Sequence, residues 1–196
     1  VSVVLYQQQL DAEKALLPLM QALYDALGKG PAPDTLLKYL LAVSTRQATE
    51  PATEAVSSTL ATLTSSPVLP VVTRAVGQRI AAEKAAGLTE RAVSVLAGKS
   101  AAAVNPYTKL AAQVLIFDSA RDGSKVGASA GGATHKTFIR LRPAKEPRVH
   151  SILEGVTLPI DQPFNIDGHL VDGPGDPRLP WSSRAFCGHI LRYSRQ

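Results

Sequence analysis

The sequence predicts an α+β protein: an N-terminal antiparallel bundle of about five helices over residues 1–112, followed by a small antiparallel β-sheet region over residues 113–196. Three observations predict it. Apolar residues recur at three- and four-residue steps through the first hundred positions, the spacing of one helix face. Near Gln113 that period gives way to compact and alternating apolar runs, the pattern of extended chain. Beyond it, Gly, Pro and Asp-Gly clusters divide the chain into short segments.

The first helix follows from Leu10, Leu16, Leu17, Met20, Leu23, Tyr24 and Leu27, with Pro18 as a kink or a start and Gly28-Lys29-Gly30-Pro31 as its stop. Asp34 caps a second helix, whose buried face is Leu36, Leu37, Leu40, Leu41 and Val43. Pro51 suits the first turn of a third, with the stripe Ala52, Val56, Leu60 and Leu63, broken at Pro67. A fourth runs from Val68 to Ala86 and ends at Gly87, and Thr89 opens a short fifth that Gly98 stops. A last helical stretch falls at Ala101–Val104 or Pro106–Ala112.

Val114-Leu115-Ile116-Phe117 then reads as a strand, and Ser119–Thr134, with Gly123, Gly127, Gly131 and Gly132, as the loop of a hairpin. Its second strand is His135–Arg142, which places Lys136, Phe138, Arg140 and Arg142 on one face and His135, Thr137, Ile139 and Leu141 on the other. Further strands are expected at Val149–Leu158, Phe164–Val171 and Arg184–Tyr193.

Composition narrows the function classes. With 45% apolar residues the chain buries a core, and with only 5% aromatics that core is built of Ala, Val and Leu, which disfavours a large ligand pocket. The single cysteine, Cys187, allows no internal disulfide, so an intracellular, reducing location is expected: cytoplasm, organelle matrix or virion. The longest uncharged stretch, residues 55–73, is rich in Ser and Thr and holds two prolines, so no membrane insertion is expected. The start resembles no signal peptide. A start at Val1 and an end at Gln196 fit a product cut from a longer chain by a protease that cleaves after glutamine.

Most motifs dissolve on inspection. Asp122-Gly123-Ser124-Lys125-Val126-Gly127 lacks the spacing of a phosphate-binding loop. His135, His150, His169 and His189 show no zinc spacing, and Asp161, Asp167, Asp172 and Asp176 have turn chemistry rather than the oxygen order of a calcium loop. Neither metal nor cofactor is expected. Cys187 and His189 share a strand face and would suit a thiolate and its base, although such cysteines sit at turns or helix starts more often than in strands.

The net charge of +5 falls mostly in the second half, and Lys136, Arg140, Arg142, Lys145 and Arg148 with Phe138 form the densest basic segment, suited to gripping phosphates and stacking a base. The expected function is a non-enzymatic structural or assembly subunit of a larger complex, a ribonucleoprotein or virus particle. Other protein subunits are its partners, and nucleic acid is a further one through residues 136–148. The alternatives are a dedicated RNA- or DNA-binding module and a cysteine-dependent hydrolase or viral polyprotein product using Cys187 with a histidine.

Overall fold

A computed structural model describes residues 2–65, 69–140, 149–184 and 188–196. Four long helices come first: α1 (Ser2–Leu27), α2 (Asp34–Leu63), α3 (Pro70–Leu96) and α4 (Val104–Ala130). The strands follow: β1 (His135–Arg140), β2 (Thr157–Pro159), β3 (Phe164–Ile166), β4 (His169–Val171) and β5 (His189–Ser194), with one helical turn, α5 (Trp181–Arg184), before the last. The chain is therefore an α+β protein, a helical bundle followed by a small antiparallel sheet region.

The helices are fewer and longer than the sequence suggests. Pro51 lies inside α2 and starts nothing. Its missing N–H removes one ladder bond. Around it Thr45, Thr49 and Thr53 each donate a side-chain hydrogen bond to the carbonyl four residues earlier at 2.8 Å. Gly87 likewise falls within α3 and ends no helix, so the expected fourth and fifth helices are one.

The larger correction concerns α4. It runs through Val114–Phe117 and on to Ala130, so the expected strand and all but the last four residues of the expected glycine loop are helix. Glycines 123, 127 and 131 stand four apart and face α2. A Cβ on Gly127 would lie 2.8 Å from the Val56 carbonyl, one on Gly131 would lie 2.8 Å from Leu63 Cδ1, and one on Gly123 would run into the Ala52 carbonyl. Glycine here serves close helix packing, which offsets a helix-propensity cost of about 1 kcal/mol per residue. The switch from helix to strand falls at residues 131–134, where Gly132 (φ 66°) closes a Schellman end with Ala133 N–H donating to the Ala128 carbonyl.

Two cores result. The bundle buries Leu16, Met20, Leu23, Leu40, Leu96, Leu115 and Ile116, from all four helices. The second unites Phe138, Phe164, Ile166, Val171, Leu179, Leu191 and Tyr193 with Leu63 of α2 and Ala128 of α4, so the sheet region is seated on the helices.

β1 is the centre of a three-stranded antiparallel sheet in the order β2-β1-β5, with Phe138 opposite Leu191 and Arg140 opposite His189. β3 and β4 form a separate hairpin. Asp167 (φ 51°) and Gly168 (φ 83°) make its two-residue turn, so the single strand expected over Phe164–Val171 is two, divided at an Asp-Gly turn. Of the expected strand Val149–Leu158, the first half is a single 3-10 turn, Val149–Leu153, and only the end pairs with β1. The expected strand from Arg184 begins at His189 instead, Arg184 itself belonging to α5.

Candidate functional site

The alternation of β1 places Lys136, Phe138 and Arg140 on one face, and that face points inward. Phe138 is 0% exposed and Lys136 2% exposed. Opposite them the register sets Tyr193, Leu191 and His189 of β5, all buried. Of the expected basic face with a stacking aromatic, Phe138 and Lys136 are thus buried beside the second core, while Arg140 at the end of the strand stays half-buried. Arg142, Lys145 and Arg148, the other members of the expected nucleic-acid site, lie outside the described residues, as does Cys187.

Each inward cation meets a partner from another element. Lys136 donates to the Asp172 carbonyl at 3.1 Å, and its ammonium sits 5.4 Å from the centre of the Phe164 ring. Burial pushes its pKa down, Asp172 draws it partly back, and Lys125 adds to the depression. Arg140 Nε donates to Glu154 Oε1 at 2.6 Å, and Nη2 reaches Ser151 Oγ at 3.0 Å. His189 Nε2 lies 2.9 Å from the same Glu154 oxygen. The His189 contact holds the Glu154 carboxyl below its ordinary range, burial opposes it, and Arg140 reinforces it.

Around Phe138 the aromatic groups converge. The ring centres of Phe164, His189 and His150 lie 5.4, 5.0 and 6.2 Å from its own, and the two imidazoles are 5.1 Å apart. His150 Nδ1 approaches Asp167 Oδ2 at 3.7 Å, and Ser183 Oγ donates to that same carboxylate oxygen. A hydroxyl nucleophile needs its base within hydrogen-bond reach. Here the carboxylate stands between serine and imidazole, so this trio binds the β3–β4 turn to α5 and to the 149–153 turn and does not form a proton relay. Among the described residues no group of three or more His, Cys, Asp or Glu side chains is arranged to hold a metal ion.

A second polar assembly lies where residues 172–178 cross the helices. Lys125 of α4 pairs with Asp172 at 2.9 Å, Arg121 of α4 donates to the Pro174 carbonyl at 3.2 Å, and Arg178 binds Asp176 through Nε at 2.9 Å and Nη2 at 2.8 Å. Asp176 also accepts from the backbone N–H groups of Asp172 and Arg178. Gly175 (φ 73°) packs directly on the Arg121 guanidinium, which any side chain would strike. The segment Asp172–Arg178, which the sequence presents as turn chemistry, is thus a strap fastening the hairpin to α4. Its aspartates are ion-pair acceptors as well as turn formers, and no sequence signal names their partners.

Asp176 gives this strap a pH dependence. Burial alone would raise its pKa, but the Arg178 guanidinium and the two N–H donors hold the carboxyl well below the usual carboxylate range. A depressed folded-state pKa contributes stability that is complete above the unfolded value, near 4, and is lost as pH falls toward the folded one. Asp176→Asn is expected to destabilise the protein by about 2 kcal/mol at pH 7, the scale of hydrogen bonds to a charged group. Urea unfolding of both proteins from pH 7 to pH 2 checks this, the difference narrowing below pH 4.

Comparison of the chain with protein-family models, with curated proteins and with solved structures finds no match. Fold and side-chain geometry alone carry the functional reading. No helix among the described residues is long and apolar enough to cross a membrane.

Proposed function

We propose that the chain is a structural or assembly subunit of a larger complex, working through protein contacts rather than chemistry. The observation that carries this reading is the first turn of α3, where Leu69, Val71 and Val72 are 62%, 73% and 54% exposed. Three large aliphatic groups within four residues form a patch of the kind that marks a contact surface, whereas single exposed apolar residues are ordinary. The polar groups support the same reading from the other side. Lys136, Arg140, His189, Asp172 and Asp176 are engaged within the chain, and they fasten elements to one another.

Light scattering across a concentration series tests it. The wild-type protein is expected to associate above its 20.7 kDa monomer mass, and a Val71→Asp, Val72→Asp variant to return to monomer with an unchanged far-ultraviolet spectrum. A wild-type protein that stays monomeric at every concentration, and that the variant matches in capturing its neighbours from a source extract, would refute the assignment.

A further inference from the structure

The bundle contains a cleft of about 450 Å³ between α3 and α4. Its walls are aliphatic, from Leu88 and Val95 on α3 and from Leu110, Val114 and Leu115 on α4, with Tyr107 as the single aromatic. That volume lies within the range of small-molecule sites. Gly87 stands at its edge in mid-helix. Gly77, Gly123 and Gly127 each face a neighbouring backbone that a Cβ would strike, but no atom lies within 4 Å of a Cβ built on Gly87. Glycine weakens a helix interior, and here packing gives no reason for it. Its effect is to leave the cleft open.

Charged groups line the cleft as well. Arg121 and Arg184 share the Asp118 carboxylate, at 3.0 and 3.5 Å, and all three side chains are mostly buried. Of these, Asp118 and Arg184 line the cleft; Arg91 adds a second guanidinium to the lining, and Glu83 and Lys84, the latter paired with Asp122, complete its charged set. Positive charge is in excess in this set by one. Burial pushes the Arg184 pKa down, and Arg121 and Arg91 deepen the depression against the pull of Asp118. Burial raises Tyr107 to about 12, with Arg91 opposing, so its hydroxyl stays a donor at neutral pH.

We propose that this cleft binds an aliphatic monocarboxylate, a medium-chain fatty acid whose tail lies along the Leu/Val walls and whose carboxylate meets Arg91 and Arg184. An aliphatic tail is favoured over an aryl group because Tyr107 alone offers a ring to stack on, and a single negative charge matches the excess. This inference is independent of the assembly reading, since it concerns the second half of α3 and not its first turn.

Titration calorimetry with decanoate, below its micelle concentration, decides the matter. Saturable one-to-one binding with a submillimolar constant is expected, with decanol bound about tenfold or more weakly, the scale of one lost charge-assisted contact. Arg91→Gln should weaken decanoate by a similar factor and leave decanol unchanged. Gly87→Leu should abolish binding of both while the thermal midpoint holds or rises, which separates a filled cleft from a damaged fold. Absence of saturable decanoate binding, equal affinity for decanol, or undiminished binding to the Gly87→Leu protein each overturns the proposal.

Discussion

Gly127→Leu is expected to destabilise the protein by about 3 kcal/mol, at the upper end of overpacking costs. In a chain of this length that lowers the thermal midpoint by about 10 °C. The reason is geometric. The Cβ position of Gly127 is 2.8 Å from the Val56 carbonyl and 3.0 Å from Thr59 Cβ, both on α2, so any side chain must push two long helices apart. Backbone cannot rotate away as a flexible side chain can. The matched control is Gly87→Ala on α3, where the space is open and better helix propensity should raise stability by about 0.8 kcal/mol. Differential scanning calorimetry of the two variants gives the comparison. A Gly127→Leu midpoint within 2 °C of wild type would mean that α2 and α4 do not approach as closely as described.

The same glycines explain which parts of the fold were legible in the sequence. Helical periodicity located α1, α2 and α3 and the first part of α4, because apolar spacing reports directly on the buried face, but the rest of α4 was read as strand and loop. What it missed was continuity: Pro51 and Gly87 look like boundaries locally, yet tertiary packing of a long amphipathic face outweighs a single missing hydrogen bond or a flexible residue. Glycines 123, 127 and 131 look like a loop by composition, although their four-residue spacing is itself a helical signal. The Asp167-Gly168 turn was legible because a type I′ turn needs positive φ at both positions, a demand that few residue pairs meet.

The candidate site was legible only in part, for a reason of a different kind. Alternation along residues 135–140 assigns Lys136, Phe138 and Arg140 to one face, and that pairing holds. Alternation cannot say which face is buried when both carry polar and apolar groups. The decision lay with residues distant in sequence: Phe164 against Phe138, Glu154 against Arg140, and Asp172 against Lys136. An acceptor some 14 to 36 positions away, a carboxylate for Arg140 and a backbone carbonyl for Lys136, leaves no local mark on a basic run.

Phe138→Ala is expected to be the most damaging single truncation in the sheet region, costing about 3–5 kcal/mol. The ring is wholly buried and touches Phe164, His150 and His189, so its removal opens a cavity lined by two imidazoles as well as apolar groups. The loss should be uneven. Hydrogen exchange is expected to accelerate first in β1 and β5, whose pairing runs through Phe138 and Leu191, while the helical core around Leu16, Met20 and Leu115 keeps its protection. An aromatic that served to stack on a base would behave in the opposite way, its truncation sparing stability and reducing only affinity for nucleic acid. Loss of less than about 1 kcal/mol, with β1 protection intact, would return Phe138 to the surface and restore the basic strand as a contact face.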